Sequence, residues 1–211
     1  MTKRAEASTE RILSAATALF AEHGYEGVST RQLASATGLN LSTVHHHVGS
    51  KRELYIKVFE RLFAEEEALV DELLGAIDDD ALQDVETFYQ LMARLIGRFL
   101  EFSAANPARQ RLYVQRWLEP ADELRAREAE STLRLYRRLA RILQRGQELG
   151  SVRADLDIGY FLRSFDFLLF SYFTSGAFSW RTLRAEPRTA PNVKKFKAYL
   201  LDYARHMLEP R

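Results

Sequence analysis

The chain has 211 residues, of which 46% are hydrophobic and 28% charged, enough to bury a core in one or two globular domains. The absence of cysteine excludes disulfides, thiolate nucleophiles and cysteine-ligated zinc. The formal net charge of +1 does not indicate a nucleic-acid partner, so a DNA-binding function would have to rest on a local motif.

Helical periodicity runs through the sequence, and almost no segment alternates with a period of two. Apolar residues recur three and four positions apart, as in Ile12, Ala16 and Leu19, which is the pattern of an amphipathic helix. We therefore predict an all-α protein of about nine helices. They are expected near residues 8–23, 30–36, 41–48, 50–76, 82–104, 107–118, 124–149, 157–180 and 192–208.

Local signals indicate where these helices begin and end. Ser29 with Gln32, and Ser50 with Glu53, match the capping-box pattern of a helix start, and Asn40 is a favourable N-cap for the third helix. Breaks are expected at Gly24, Gly38, Asp78–Asp80, Asn106–Pro107, Glu119–Pro120, Gly150 and Arg184–Pro191. We interpret the acidic run among them as a solvated loop and not as a cation site.

The second and third predicted helices form a helix-turn-helix. Gly38 supplies the residue that tolerates positive φ in the tight turn, while Leu41, Val44 and Val48 can face the preceding helix and the core. Hydroxyls and imidazoles remain on the outer face, where they suit base edges and phosphates in a major groove. A small helical bundle that never touches DNA has the same spacing, so the spacing alone leaves both interpretations open.

The residues from Ser8 to Glu60 resemble the DNA-binding domain of the tetracycline-repressor (TetR) family. An ordered series of motifs carries the resemblance: Ile-Leu-x-Ala-Ala, Leu-Phe, Gly-Tyr, Ser-Thr, Leu-Ala, Gly-Leu, His-His and Ser-Lys-x-x-Leu-Tyr. It implies DNA contacts by Thr30, Leu41, Ser42, Thr43, His45, His46, His47 and Lys51. Ser29 joins this set because free backbone N–H groups at a helix start bind phosphate.

Three positions depart from the usual pattern of the family. His45 stands where tyrosine is usual, so a side chain that can become charged near neutral pH replaces a neutral phenol. Leu41 has no polar side-chain atoms, whereas the family often has a polar side chain at that position, so a hydrogen bond from Leu41 to a base is not expected. Val48 stands where phenylalanine is frequent, and we expect it to remain in the core.

The aromatic stretch from Phe161 to Phe178 is interrupted by Arg163 and Asp166, which favours a buried helix over a membrane span. Being apolar nearly all round, it needs cover on more than one side, from its own domain and from a second chain. The resemblance implies a homodimer in which this helix and the last one form a four-helix bundle. Since the N-terminus lacks the pattern of a signal peptide, we expect a cytoplasmic protein without a membrane partner.

We expect two domains. Residues 1–50 are predicted to form the helix-turn-helix domain, and residues 51–211 a helical ligand-sensing and dimerisation domain, with 51–76 as the connecting helix.

A ligand pocket in the larger domain is implied by the resemblance. Aromatic bulk with a few polar groups is typical of small-molecule sites, although ordinary core residues have the same composition. The residues expected to line it, around an apolar or aromatic ligand, are Phe88, Leu91, Met92, Leu95, Phe99, Tyr113, Arg116, Trp117, Phe165 and Asp166. Arg116 and Asp166 need partners, and we expect them either to pair with each other or to read a ligand's charge.

Metal and catalytic sites are not predicted. Consecutive histidines on a helix point about 100° apart, so His45, His46 and His47 cannot converge on one ion. The sequence has no nucleophile elbow and no Gly-rich phosphate loop, so we assign it no catalytic residue, no cofactor and no enzymatic activity. The arginines from Arg125 to Arg145 are interpreted as a solvated face that pairs with its own glutamates.

The sequence therefore predicts a transcriptional regulator that binds a palindromic double-stranded DNA operator as a homodimer and leaves it when a small molecule binds. A repressor is the favoured interpretation, and activation stays open. The alternative is a helical protein that binds a small molecule or a partner and has no DNA function.

Overall fold

The computed structural model describes residues 3–75, 79–118 and 123–210. Within these ranges the chain forms ten helices and one two-stranded hairpin, which confirms the all-α prediction. The elements are α1 (Lys3–His23), α2 (Thr30–Thr37), α3 (Leu41–Val48), α4 (Lys51–Leu74), α5 (Asp79–Gln83), α6 (Val85–Ala105), α7 (Pro107–Leu118), α8 (Glu123–Leu149), α9 (Ile158–Ser175), β1 (Ala177–Ser179), β2 (Leu183–Ala185) and α10 (Ala190–Leu208).

The chain packs into two compact units. Unit 1 comprises Met1–Glu66 and Ala108–Glu128, and unit 2 comprises Glu67–Pro107 and Ala129–Arg211. Helices α4 and α8 each contribute residues to both units. Among the described helices, none is long and apolar enough to cross a membrane.

The core of unit 1 is built from the apolar faces of its N-terminal helices. Ile12 and Phe20 of α1 are fully buried, as are Val48 of α3 and Phe59 of α4. Burying side chains of this size stabilises a fold by about 1.5–3 kcal/mol each. The predicted spacing of the first helix therefore corresponds to a real core face, and Val48 lies in the core as expected.

The core of unit 2 is formed by α6, α8, α9 and α10. Phe88 and Leu208 are fully buried there, while Leu143 and Phe161 are at most 5% exposed. Helix α6 begins after Asp84, whose carboxylate accepts a hydrogen bond from the Thr87 backbone N–H at 2.8 Å. This cap positions the face of α6 that packs on α9 and α10.

The acidic run that was predicted to be a loop is partly helical. Asp79 and Asp80 begin the short helix α5, while Asp78 lies outside the described residues. Carboxylates in the first turn of a helix complement the positive end of the helix dipole, so a helical start is compatible with this run. Of the ten helices in the described residues, α5 is the one that the nine predicted helices omit.

The predicted break at Glu119–Pro120 lies outside the described residues.

The largest correction concerns the segment after the aromatic helix. Helix α9 ends at Ser175 and not near Trp180, because Gly176 adopts a φ of 89° and leaves the helical conformation. Strands β1 and β2 then pair antiparallel, with Phe178 opposite Arg184. The predicted polar loop is therefore in part a hairpin. Each of its strands has only three residues, which is too short to show a clear alternation in the sequence. Helix α1 also begins five residues earlier than predicted, and α10 two residues earlier.

Candidate functional site

Local hydrogen bonds fix the two short helices of unit 1. Ser29 Oγ accepts from the Gln32 backbone N–H at 3.2 Å, and Gln32 Oε1 accepts from the Ser29 N–H at 2.7 Å. Asn40 Oδ1 accepts from the Thr43 N–H at 2.7 Å. Gly38, between the helices, has a φ of 64°, in the left-handed region that glycine adopts without strain. The capping box, the Asn40 cap and the glycine turn are therefore confirmed.

Helix α3 has one buried and one exposed face. Val44 is 4% exposed and Val48 fully buried, which anchors the helix on the rest of unit 1. Leu41 is 44% exposed, so the prediction that it faces the core is wrong. As the first residue of α3 it lies at the open end of the helix, beside the exposed Ser42.

The exposed face of α3 carries the polar side chains singled out in the sequence. Ser42, His45 and His46 are exposed, and their spacing of three and four residues puts them on one side of the helix. Thr43 is half-buried next to them. His47 is also half-buried, and its Nδ1 lies 3.3 Å from the Thr9 hydroxyl of α1. His47 is therefore turned towards α1 more than its two neighbours.

The helix starts on either side of α3 provide further groups. Ser29 and Thr30 are exposed at the start of α2, where the first N–H groups of a helix have no intrahelical partner. Lys51 is the first residue of α4, and its ammonium lies 4.2 Å from the centroid of the Tyr25 ring. The ammonium is also 4.0 Å from the carboxylate of Glu26, a side chain that is 92% exposed. An ion pair this open is weak, so Lys51 can exchange it for another anion.

A second capping box holds the start of α4. The Ser50 N–H donates to Glu53 Oε2 at 2.7 Å, and the Glu53 N–H donates to Ser50 Oγ at 3.2 Å. The hydrogen bond from the Ser50 backbone is the main reason that the pKa of Glu53 lies below its ordinary value, followed by the bond from the Ser50 side chain. This box, also predicted, fixes the position of Lys51.

Sequence reasoning missed two residues of this surface. Arg31 is exposed in the first turn of α2, beside Thr30. The position of Arg31 directly after the predicted helix start at Thr30 indicates this location in the sequence. Tyr25 supports Lys51 through its ring, a contact between distant parts of the chain that no local pattern indicates.

Unit 2 contains a cavity of about 100 Å³ among α6, α8, α9 and α10. One water needs only about 10–15 Å³, so the space is large enough for an organic group. Five of the residues proposed for a pocket lie in its wall: Met92, Leu95, Phe99, Phe165 and Asp166.

The other five residues proposed for the pocket lie elsewhere. Phe88 and Leu91 belong to the packed core of unit 2. Tyr113, Arg116 and Trp117 belong to α7 in unit 1 and do not line the cavity.

Arg116 and Asp166 both have partners. Arg116 is 1% exposed, and its Nε lies 3.8 Å from Glu128 Oε2. Asp166 accepts a hydrogen bond from the Tyr136 hydroxyl. These contacts supply the counter-charges and donors that buried ionisable groups require.

The part of the cavity wall that sequence reasoning missed comes mainly from α8. Leu135, Tyr136, Leu139, Ile142 and Leu143 line the cavity, and they recur at helical spacing. Arg134 pairs with Glu130 of the same helix at 2.9 Å, as predicted, and also with Glu67 of α4 at 3.0 Å.

Comparison with known proteins identifies the N-terminal region. The sequence profile described as "Bacterial regulatory proteins, tetR family" matches residues 12–58. The chain is 35% identical over 83 residues to the HTH-type transcriptional repressor AcnR of Corynebacterium efficiens. That match covers 36% of this chain and 44% of the relative, so the chain spans under half the length of this repressor.

Longer matches extend the similarity beyond the helix-turn-helix. The HTH-type transcriptional repressor SCO4008 of Streptomyces coelicolor is 29% identical over 148 residues, which cover 70% of this chain and 68% of that protein. The crystal structure of the TetR family transcriptional regulator PfmR from Thermus thermophilus superposes with a TM-score of 0.71. It is 25% identical and covers 99% of this chain and 98% of its own. Residues 12–58 therefore match the tetR family of bacterial regulatory proteins, and the chain resembles the regulator PfmR of that family over nearly its whole length.

Proposed function

We propose that this protein is a sequence-specific DNA-binding transcriptional repressor that leaves a palindromic operator when a small molecule binds its C-terminal part. The observation that carries the proposal is the pair α2 and α3, joined at Gly38, with Ser42, His45 and His46 exposed on one face of α3. In functional terms residues 1–50 bind DNA, and residues 51–211 sense the ligand and dimerise.

The size and chemistry of α3 suit a major groove. The groove is about 12 Å wide, and an α-helix with its side chains is about 10–12 Å across. Ser42 and Thr43 lie in the first turn of α3, the part of a recognition helix that meets base edges. The methyl group of Thr43 can contact a thymine methyl, while its hydroxyl can meet a polar base edge.

Groups around α3 are suited to position it on the sugar-phosphate backbone. Thr30 and Arg31 lie at the start of α2, where N–H groups and the helix dipole favour a phosphate. Lys51 can leave its weak contact with Glu26 and bind a second phosphate. Such contacts set register and affinity but carry no sequence information, which then depends on α3.

Exposed aromatic side chains of unit 2 support a homodimer through α9 and α10. Phe167 of α9 and Tyr199 of α10 are each 52% exposed, and the intervening hairpin exposes Trp180 by 94%. Aromatic groups on a surface are enriched where partners bind. A two-fold dimer would present two α3 helices to half-sites about one helical turn apart, which explains a palindromic operator.

The cavity of unit 2 supports ligand control. Helix α4 starts at Lys51, next to the recognition helix, and ends at Leu74 in the unit that holds the cavity. A ligand that prefers a state in which the two recognition helices are mis-spaced would release the operator. A coupling free energy of about 1–3 kcal/mol would change operator affinity some 5- to 150-fold.

A mobility shift against a panel of palindromic duplexes tests this function. The wild-type protein should shift at least one duplex in the presence of excess non-specific DNA. Ser42→Asp, which adds a negative charge to the exposed face of α3, should abolish that shift. The control Glu148→Gln removes an exposed charge from α8, a helix that is part of neither α3 nor the proposed α9–α10 dimer surface, and should leave the shift unchanged. A protein that shifts no duplex, yet binds small molecules in its cavity, would instead be a ligand-binding protein without DNA function.

A further inference from the structure

The wall of the unit 2 cavity is apolar except at one corner. Of the described residues that line it, only Tyr136 of α8 and Asp166 of α9 carry oxygen or nitrogen atoms in their side chains. An apolar protein cavity of about 150 Å³ stays dry and binds benzene. A space of about 100 Å³ with this lining therefore suits a small hydrocarbon group.

Arg163 supplies the counter-charge of this corner. Its Nη1 lies 3.8 Å from Asp166 Oδ2, three residues further along the same helix. Arg163 itself does not line the cavity. Because the guanidinium and the carboxylate are paired, the corner presents no net charge to a molecule in the cavity.

The Tyr136 hydroxyl joins this ion pair without adding a charge. It donates its proton to Asp166 Oδ2, and its oxygen accepts a hydrogen bond from Arg163. Burial is the main reason that the pKa of Tyr136 lies above its ordinary value, and the charge of Asp166 raises it further, while Arg163 acts in the opposite direction. The hydroxyl therefore keeps its proton, and the three side chains satisfy one another.

We propose that the cavity takes an uncharged, mainly apolar molecule, and that the ion pair of Arg163 with Asp166 makes it disfavour anions and cations alike. This inference rests on the proposed ligand control, because it names the ligand class of the same cavity. An ionised head group would leave water and find no unpaired opposite charge at the corner, which is strongly unfavourable. A neutral hydroxyl loses much less on leaving water. It can also donate to Asp166, since an ionised carboxylate has about four acceptor positions.

Three probes with the same alkyl chain test this preference: hexanol, hexylamine and hexanoate. At pH 7 the alcohol is neutral, the amine is protonated and the acid is ionised. Isothermal titration of the full chain in the absence of DNA measures the three affinities, up to the solubility limit of each probe. Hexanol should bind at least about tenfold more tightly than either ion, because burial of an unpaired charge is penalised far more than burial of a hydroxyl.

The substitution Arg163→Gln tests whether the ion pair is responsible. It leaves Asp166 ionised and without its cation, so hexylamine should gain about tenfold or more relative to hexanol, as expected for a hydrogen bond to a charged group. Hexanoate should not gain. Adding Asp166→Asn to Arg163→Gln removes the unpaired charge and should cancel the gain of the amine.

The matched control is Arg145→Gln on α8. Arg145 is 40% exposed and pairs with Glu148 three residues later, as Arg163, 42% exposed, pairs with Asp166. Neither Arg145 nor Glu148 lines the cavity, so this substitution should leave the order of the three affinities unchanged. Thermal melting of each variant checks that it is folded, and the comparison of the three probes on the wild type needs no variant.

The inference is overturned if either ion binds the wild type as tightly as hexanol, or if hexanol does not bind. It is also overturned if Arg163→Gln leaves the preference between hexylamine and hexanol unchanged, if the double variant keeps the gain, or if Arg145→Gln produces the same gain. None of these results affects the mobility shift of the wild-type protein, which tests the proposed DNA function separately. Failure of the mobility shift would in turn leave the preference for an uncharged ligand standing.

Discussion

Helix α3 presents Ser42, His45 and His46 to solvent, whereas the cavity of unit 2 is surrounded by apolar side chains with a single charged group, Asp166. The first surface suits a polar polymer whose edges offer many donors and acceptors. The second suits a small molecule held by burial and oriented by one polar contact. The chain thus has two surfaces of opposite polarity, as the proposed ligand-controlled binding of DNA requires.

The largest effect on stability is expected when aspartate is introduced on the buried face of α3 and compared with aspartate on its exposed face. Val44→Asp places a carboxylate where the native side chain is 4% exposed. An unpaired buried charge should cost on the order of 3 kcal/mol or more of stability. Ser42→Asp, on the exposed face, should leave stability within about 0.5 kcal/mol and remove DNA binding. Urea unfolding and mobility shifts measure the two effects. Equal losses of stability would contradict the assignment of the faces.

Substitutions in the proposed dimer surface of α9 and α10 should have an effect almost as large. The double substitution Phe167→Lys and Tyr199→Lys puts charges on two side chains that are each 52% exposed, so folding should be retained. Loss of buried interface aromatics should weaken dimerisation by about 2 kcal/mol or more. Sedimentation velocity measures the dimer dissociation constant. Leu133→Lys is the control, since Leu133 is 49% exposed on α8. If Leu133→Lys dissociates the dimer and the double variant does not, the interface lies on α8.

Lys51→Ala should have a smaller and less specific effect. Removal of one phosphate contact should weaken binding about equally on all duplexes and reduce the slope of log affinity against log salt by about one unit. Lys194→Ala on α10 should change neither quantity. A loss confined to one base position would show that Lys51 reads sequence.

The smallest effect concerns the cap of α4. Because the pKa of Glu53 is lowered from 4.5 in the folded state, its stabilising contribution is present above pH 4.5 and fades as the pH falls through the lowered value. Wild type should therefore melt at a slightly higher temperature than Glu53→Gln at pH 6, and the difference should vanish towards pH 3. Glu26→Gln, at a side chain without a capping role, serves as the control. A difference that grows on acidification would contradict the cap.

Local interactions explain which parts of the fold could be predicted from the sequence. The caps at Ser29, Asn40 and Ser50 each join residues three positions apart, so a short sequence pattern is enough to predict the hydrogen bond. The turn at Gly38 depends on the conformational freedom of one residue. The helices of unit 1 were accordingly predicted to within a residue or two, apart from the start of α1.

Tertiary packing explains what could not be predicted. Tyr113 and Arg116 have the aromatic and ionisable character of pocket residues, but α7 places them in the interior of unit 1. Tyr136 belongs to an Arg-rich helix whose apolar face becomes a cavity wall only when α6, α9 and α10 are packed against it. Tyr136, which donates a hydrogen bond to Asp166, is 30 residues away in sequence, so no local pattern indicates that contact.

Selection from a pool of randomised duplexes, carried out in parallel with the wild-type protein and Thr43→Ala, tests most directly whether α3 reads DNA. The wild type should enrich a sequence with two-fold symmetry and half-sites about one helical turn apart. Thr43→Ala should enrich the same sequence with relaxed preference at one position of each half-site, a loss of roughly 1–3 kcal/mol for that base. Enrichment of no sequence by the wild type, or an unchanged base preference in Thr43→Ala, would contradict the assignment of α3 as the recognition helix.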